Sequence, residues 1–371
     1  MLNLRLCYIF YKVPGTLNSN HIFRKARRPF KSMRLKYNLI STYRKELMGI
    51  AIILIMISHN TVDAPGAFHI INSGLQVFSQ VGVDVFFFLS GFGCFYSMNK
   101  ISDISTFYKR RLRRILPTYL AVVLLYGVIA VIFLKTPITE CIWNYSLISF
   151  YVADDLHEWF VAAILLVYLL YPFIHHLIIK KEAVVKLAVL AIYILIFSSI
   201  FGHIHFRPVI MSIFVTRIPA FLIGALFAKR AIEEMDINEK VAFIVTTIGV
   251  LCGGIAMYVH HKRVHSSWTI IRTSYIFVLL AIVFIWIVIQ EYNRRENVIT
   301  RLVPSFLSYI GGLTLEIYLF HEKILGVLSH IIISKSFPAL LVENILAIIF
   351  SILLSDILKR CIERCMSYVA L

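Results

Sequence analysis

The feature that most constrains this chain is a series of long apolar runs separated by short basic segments. An α-helix rises about 1.5 Å per residue, so roughly 20 apolar residues cross the ~30 Å hydrocarbon core of a bilayer. With 59% hydrophobic and only 15% charged residues, the chain has too little polar surface for a soluble domain. We expect an all-α integral membrane protein, a bundle of about ten transmembrane helices. The predicted segments are 47–62, 75–98, 115–134, 158–178, 184–201, 209–228, 241–259, 269–289, 305–326 and 338–358.

The basic residues collect on one side of the predicted bundle. If the N-terminus is cytoplasmic, 29 of the 37 Lys and Arg residues fall in inner segments and only 5 in outer ones. Cytoplasmic segments of membrane proteins carry such an excess. The pattern predicts a multi-pass protein of the plasma or inner membrane, with both termini in the cytoplasm.

The formal net charge of +17 raises the question of nucleic-acid binding. That function requires one basic patch on a folded domain, whereas these charges lie between apolar runs, so we expect no nucleic-acid partner and contact with membrane lipids instead. Residues 1–42 are predicted to be a basic, disordered cytoplasmic tail, with Met33 as an alternative start. Residues 43–358 form the predicted transmembrane domain, and 359–371 a short cytoplasmic tail.

Cysteines and histidines give no clear metal or disulfide pattern. The six cysteines show no C-x-x-C spacing, so we expect neither disulfides nor a zinc site; acylation of Cys361 and Cys365 remains an alternative to free thiols. Loop histidines have spacings that a metal could use, but exposed loop histidines usually bind nothing, and we predict no metal. These histidines are His203, His205, His260, His261 and His265.

The stretch 135–157 contains an apolar portion, 142–153, that is too short to cross a membrane. We interpret it as a re-entrant or interfacial segment on the outer side. Its acidic end would face water, and Glu158 follows directly.

Ionisable groups at membrane depth are costly and often functional. His59 ends the apolar run LMGIAIILIMISH, about 18 Å along a helix from Leu47 and therefore beyond the midplane. It could act as a general base, or it could be a neutral imidazole hydrogen-bonded between helices. Position alone does not separate these two interpretations.

Further ionisable residues fall within predicted segments, and the mixed signs of six of them favour interhelical pairing. For Asp84 and Arg217 we expect a structural ion pair. Glu316 and His321 are five residues apart, so their side chains diverge by ~140° around a helix. The six are Asp84, Arg217, Glu316, His321, Glu322 and Lys323.

An arginine cluster, FYKRRLRRILPTY, precedes the third segment. It could be an ordinary cytoplasmic anchor. Alternatively the cluster could bind phosphates, because guanidinium groups match phosphate oxygens. Arg111 and Arg114 lie three residues apart on one helical face, and Arg110 is a third candidate. Coenzyme A is one cytoplasmic ligand rich in phosphate.

Taken together and in order, several segments resemble the integral membrane acyltransferase-3 family over residues 43 to about 325. Each piece is weak by itself, whereas the ordered set is specific. The pieces are ELMGIAIILIMISHN with His59, GVDVFFFLSGFGCFYS with Asp84, RRLRRILPTY with Arg111 and Arg114, EWFVAAILLVYLLYP with Trp159, RIPAFLIGALFAK with Arg217, and SYIGGLTLEIYLFH with His321.

The resemblance implies an O-acyltransferase that moves an acyl group, typically acetyl from acetyl-CoA, to a glycan or lipid-linked saccharide. It implies that Arg111 and Arg114 bind donor phosphates and that His59 accepts the acyl group or deprotonates the acceptor, with Glu158 or Glu316 orienting the imidazole. Trp159 belongs to the buried polar set with Asp84 and Arg217. In one departure, Met48 stands where relatives commonly carry a basic residue, with Arg44 and Lys45 a turn earlier.

Two other functions remain open at this point. The chain could export a glycan or a lipid-linked intermediate without acyl transfer, with buried charges lining a pathway. It could also only scaffold other enzymes, in which case no single buried ionisable residue would matter.

Overall fold

The computed structural model describes residues 35–62, 65–101, 103–133, 135–152, 158–200, 213–262, 267–293, 298–332 and 336–369. Regular structure in these ranges is α-helix, with one isolated antiparallel bridge between Lys36 and Asp236. The predicted all-α class is therefore confirmed for the described part of the chain.

The helices follow the apolar runs closely. The first part of the chain contains α1 (Leu39–Thr42), α2 (Arg44–Ser58), α3 (Ala67–Ser79), α4 (Val81–Lys100), α5 (Ile104–Ile132), α6 (Ile138–Asn144), α7 (Ser149–Val152) and α8 (Trp159–Lys180). The second part contains α9 (Glu182–Ile200), α10 (Ile218–Ile232), α11 (Glu239–His261), α12 (Ser267–Asn293), α13 (Val298–Gly311), α14 (Thr314–Ile331) and α15 (Phe337–Val369).

Within the described residues, six helical segments are long and apolar enough to cross a membrane, and the pair α13 and α14, bent by 79°, would give a seventh. The multi-pass character of the protein is thus supported by length and composition. Ten crossings and cytoplasmic termini stay predictions. The six segments are Phe68–Lys100, Ile104–Ile132, Trp159–Lys180, Glu239–His261, Ile270–Tyr292 and Phe337–Tyr368.

The first turn of α5 is capped by a side chain that satisfies backbone groups. Asp103 caps α5 by accepting hydrogen bonds from the backbone of Ser105 and Thr106, at 3.2 and 2.8 Å. Hydrogen bonds from the Thr106 side chain and backbone also lower the pKa of the Asp103 carboxyl. This cap begins the helix that carries the arginine cluster.

Glycines let two pairs of helices approach to backbone contact. A Cβ added at Gly91 on α4 would lie 2.0 Å from the Phe221 carbonyl oxygen, and one at Gly224 on α10 would lie 2.0 Å from that of Phe88. The crossing of α2 and α13 is similar, because a Cβ at Gly311 would meet the Lys45 carbonyl oxygen at 1.8 Å. Small residues at such crossings are typical of membrane helix packing.

The packed helical region extends beyond the predicted boundaries of the transmembrane domain, residues 43 and 358. Residues 35–42, assigned above to the tail, pack onto the bundle, with Leu35 and Ile40 buried. The last helix continues from the predicted crossing through residue 369. The rest of the predicted tail, 1–34, lies outside the described residues.

The segment 135–157 contains the short helices α6 and α7, which fits an interfacial segment better than a crossing. Residues 153–157 of this segment lie outside the described part. The cysteines Cys94, Cys141, Cys252, Cys361 and Cys365 are free thiols.

Asp84, Arg217 and Trp159 meet in the interior. Arg217 Nε lies 4.0 Å from Asp84 Oδ2, and both side chains are 4% exposed. The Arg217 guanidinium lies 5.7 Å from the centre of the Trp159 ring and donates to the Ile213 carbonyl oxygen at 3.0 Å. These contacts join α4, α8 and the start of α10.

Candidate active site

His59 lies just after the last residue of α2, as the residue that ends the helix. Its Nδ1 is 2.9 Å from the Ile55 carbonyl oxygen and 3.2 Å from Ser58 Oγ. The side chain is 40% exposed, so one side of the imidazole opens out of the bundle. A group entering from that side can therefore reach the ring.

His321, on α14, lies directly against His59. His321 Nε2 is 3.3 Å from His59 Nδ1, and the two rings meet edge to face with centroids 5.0 Å apart. His321 is 6% exposed, and its Nδ1 lies 2.7 Å from the Tyr318 carbonyl oxygen. The structure thus brings together two residues that are 262 positions apart in the chain.

Glu322 completes this cluster. Its Oε1 lies 2.7 Å from His59 Nε2, and its side chain is 61% exposed. The three residues His59, His321 and Glu322, called the histidine cluster below, form a continuous line of hydrogen-bonding atoms. Such a line can transfer protons to and from a bound substrate.

Glu158 and Lys323 form a second charged pair beside the cluster. Lys323 Nζ donates to Glu158 Oε1, and it lies 5.5 and 5.6 Å from the ring centres of Tyr126 and Tyr145. Glu158 is a buried residue with φ 52°, at the position that begins α8. Because Lys323 follows Glu322 on α14, the pair adjoins the histidine cluster.

A basic cavity of about 430 Å³ lies at the opposite end of α2, where that helix begins. It is enclosed by the starts of α2 and α14, the middle of α5 and the last turns of α15. Five cations line it, which is more than the two carboxylates present can neutralise. The cations are Arg44, Lys45, Arg113, Arg114 and Lys359, and the carboxylates are Glu316 and Glu363.

The three predicted phosphate-binding arginines occupy different environments. Arg114 is exposed and lines the basic cavity. Arg111 is 8% exposed, donates to the Gly93 carbonyl oxygen at 2.9 Å and packs between Phe107 and Tyr168. Arg110 is exposed and is not among the residues that line this cavity. Arg114, with Arg113, is therefore better placed than Arg111 for an anion.

A smaller cavity of about 60 Å³, called the narrower cavity below, lies beside the basic cavity and shares lining residues with it. Both cavities are lined by Arg44, Met48, Arg114, Thr314 and Leu315. The narrower one reaches Tyr318, whose ring lies 5.9 Å from that of His321. From Thr314 to His321 the distance along α14 is ~10 Å.

Met48, the position at which the resemblance implies a basic residue, lines both cavities. Arg44 lies one turn earlier and also lines both. Its guanidinium donates to the Leu89 carbonyl oxygen at 3.3 Å and occupies the space left by the missing side chain of Gly93. A neighbouring cation thus stands close to the position that Met48 leaves uncharged.

Glu316 faces the basic cavity rather than the histidines. Its Oε1 accepts a hydrogen bond from Thr118 Oγ1 at 3.3 Å, and the residue is 8% exposed. The two carboxylates expected beside His59 therefore have other hydrogen-bond partners, Thr118 for Glu316 and Lys323 for Glu158. Among the described residues, Glu322 is the carboxylate that contacts His59.

The sequence placed Glu322 within a predicted crossing and favoured an interhelical pair for it, but assigned it no part in the active site. Its position directly after His321 was the only available signal. Of the cations in the basic cavity, Arg113 belongs to the arginine cluster that the sequence shows. Lys359 donates to the Gly312 carbonyl oxygen, 47 residues away in the chain. Nothing in the local sequence connects Lys359 with this cavity.

The ligand atoms of the histidine cluster lie within 4.8 Å of one another, close enough for a metal ion. Direct hydrogen bonds already join these atoms, with His59 Nε2 on Glu322 and His59 Nδ1 on His321. An ion between them would replace both contacts. We therefore interpret the cluster as a proton-transfer site. The predicted loop histidines His203, His205 and His265 lie outside the residues whose side chains are described.

The sequence matches the family Acyl_transf_3, described as an acyltransferase domain, over residues 47–360. The match covers most of every helix that contributes to the two cavities and the histidine cluster, while five residues that line the basic cavity lie just outside it, namely Arg44, Lys45, Ile362, Glu363 and Met366. No curated protein and no solved structure matches the chain. Because the family match extends over most of the sequence, this chain belongs to the acyltransferase-3 family of membrane acyltransferases.

Proposed function

We propose that the protein transfers an acyl group, acetyl in the simplest case, from acyl-CoA to a hydroxyl group of a cell-surface or lipid-linked glycan at the plasma membrane. The observation that carries this proposal is the cation-lined cavity, together with the narrower cavity beside it that is lined by Tyr318, next to His321. Family membership supports acyl transfer. The donor and the acceptor are the parts that need an experiment.

The charges of the basic cavity suit the donor. Coenzyme A carries several phosphate groups, and guanidinium and ammonium groups bind phosphates through charge-assisted hydrogen bonds. Arg113 and Arg114 would contact these phosphates from α5, and Lys45 from α2. The thioester arm would then extend through the narrower cavity toward Tyr318 and His321.

The histidine cluster suits the chemical step. An imidazole can remove the proton of an acceptor hydroxyl while that oxygen attacks the thioester carbonyl. The exposed side of His59 and Glu322 offers an entry for the acceptor that is separate from the donor cavity. Donor and acceptor would thus approach the cluster from different sides.

The main test of acyl transfer uses purified protein in lipid vesicles, labelled acetyl-CoA and a glycan acceptor. Transfer of label to the acceptor supports the proposal. If the label stays on the donor while the glycan crosses the bilayer, the protein is an exporter. If neither occurs and no single buried ionisable residue affects envelope synthesis, the scaffold function is favoured.

The double variant Arg113→Ala with Arg114→Ala should raise the KM for acyl-CoA by at least about tenfold. Each charge-assisted hydrogen bond contributes ~1.5–3 kcal/mol, and tenfold in affinity corresponds to ~1.4 kcal/mol. Steady-state kinetics at varied donor concentration measure the effect. Arg110→Ala is the matched control, because Arg110 is exposed on the same helix but does not line the cavity. If the double variant and Arg110→Ala raised the KM equally, the arginine cluster would be a cytoplasmic anchor and not a phosphate site.

Ser90→Phe should lower kcat by more than about tenfold and leave acyl-CoA binding nearly unchanged. Ser90 is 7% exposed and lines the narrower cavity, where a phenyl ring would block the thioester arm but not the phosphate contacts. Rates and donor binding, measured separately, check the prediction. Ser90→Ala controls for the lost hydroxyl and should retain activity. Weakened binding with normal kcat would place the donor elsewhere.

A further inference from the structure

The hydrogen-bond partners of the histidine cluster determine which nitrogens carry protons. A backbone carbonyl oxygen only accepts hydrogen bonds, so a ring nitrogen that faces one must carry a hydrogen. His321 Nδ1 faces the Tyr318 carbonyl oxygen at 2.7 Å and that of Ile317 at 3.2 Å. His321 Nδ1 is therefore protonated.

The lone pair of the neutral His321 ring is consequently on Nε2. That atom lies on the side of His59, 3.3 Å from His59 Nδ1. His321 Nε2 is thus a hydrogen-bond acceptor. It lies between the proposed path of the thioester arm, which leads past Tyr318, and the exposed side of His59, where the acceptor would enter. This is the position that a general base requires.

His59 has the opposite character, because both of its nitrogens face acceptors. Nδ1 lies 2.9 Å from the Ile55 carbonyl oxygen, and Nε2 lies 2.7 Å from Glu322 Oε1. An ionised Glu322 only accepts hydrogen bonds, so Nε2 must carry a hydrogen. Because Nδ1 also faces an acceptor and carries one, the ring is a doubly protonated imidazolium. In this geometry His59 has protons to donate and no free lone pair.

We propose that His321 is the general base of acyl transfer and that Glu322 keeps His59 protonated, so that His59 acts as a hydrogen-bond donor to the reacting carbonyl oxygen. This assignment rests on the proposed function. It deepens that function by naming the roles of the two rings and by adding Glu322 as a positioning residue.

The reaction balances with these roles. The acceptor hydroxyl gives its proton to His321 Nε2 as its oxygen forms a bond to the thioester carbonyl carbon. The carbonyl oxygen, now an oxyanion, accepts a hydrogen bond from the single N–H of His59 Nδ1, which turns to it from the Ile55 carbonyl oxygen. The Ile55 carbonyl oxygen keeps its hydrogen bond from Ser58 Oγ. When the intermediate collapses, the C–S bond breaks and the departing thiolate takes the proton from His321. Ester and thiol leave, and both rings return to their starting states.

Charged and titratable groups around the cluster come from four elements. On α14 these are Tyr318, Glu322 and Lys323, and on α8 Glu158, which pairs with Lys323. On α15 Glu343 accepts a hydrogen bond from Thr61, near His59. Ser58 contributes a neutral hydroxyl from α2. Glu322 is the member of this set that directly contacts His59 Nε2, so its replacement tests the charge on His59.

Two matched amide variants separate a donor from a base. An amide can donate a hydrogen bond but cannot take a proton at neutral pH. His59→Asn places an N–H group near the position of Nδ1, so we expect measurable transfer, within about 100-fold of the original protein. His321→Gln should reduce transfer to the uncatalysed level. The reverse ranking, with His321→Gln the more active variant, would overturn the proposal.

Glu322→Gln gives an independent readout. The imidazolium form of His59 must be lost at high pH, so kcat/KM should fall on the alkaline side. Without the carboxylate, that fall should occur about one pH unit or more lower. An unchanged pH profile with a uniformly lower rate would make Glu322 a structural residue only. If the original protein transfers no acyl group, the proposed function itself fails, and this outcome is distinct from both results above.

Discussion

Replacing His59 by alanine should lower kcat/KM for acyl transfer by about 10²- to 10⁴-fold, the usual contribution of a positioned acid or base. The variant should insert into membranes and fold normally, because the His59 side chain is 40% exposed and its removal leaves no closed cavity. Transfer of labelled acetyl groups, normalised to the amount of folded protein in the membrane fraction, measures the effect.

His330→Ala is the control for that experiment. His330 lies on α14, the helix that carries His321, and its Nδ1 faces its own helix, at the Gly326 carbonyl oxygen 2.8 Å away. We expect normal activity in this variant. Normal transfer in His59→Ala would remove His59 from the active site.

The second large effect concerns folding. Gly91→Leu should destabilise the protein by ~3 kcal/mol or more, because the new side chain would collide with the backbone of α10. Backbone atoms cannot move aside as a side chain can, so α4 and α10 would have to separate. The Asp84 and Arg217 pair, which joins the same two helices, would separate with them. Thermal unfolding in detergent and the yield of monodisperse protein check this prediction.

Gly127→Leu is the matched control, because nothing lies within 4 Å of a Cβ added at Gly127. The same substitution, also within a membrane helix, should leave the melting temperature nearly unchanged. If Gly91→Leu melted like this control, the close crossing of α4 and α10 would be wrong.

The helices could be predicted from the sequence because apolar length is a local property. The predicted segment 241–259 lies within α11 (Glu239–His261), and 158–178 nearly coincides with α8 (Trp159–Lys180). Breaks inside a run were harder to see. The predicted segment 305–326 is two helices bent by 79°, with Gly311 and Gly312 at the bend.

Only part of the candidate site could be predicted from the sequence. His59, His321 and Arg114 belong to motifs that the family resemblance made visible, and the structure places each at a cavity or in the histidine cluster. Arg111 shares the motif of Arg114, yet it is held between two aromatic rings. Spacing on one helix could not reveal this difference, because it depends on what α4 and α8 place against that helix.

The sequence by itself determined the membrane class, the helix positions and the family, since each depends on the order of residues along the chain. Only the tertiary structure decided the partners. Glu322 meets His59, Lys323 meets Glu158 and Lys359 reaches the basic cavity because helices far apart in sequence pack side by side. An ion pair or a hydrogen bond depends on distances of a few ångströms between side chains, and these distances exist only after the helices have packed.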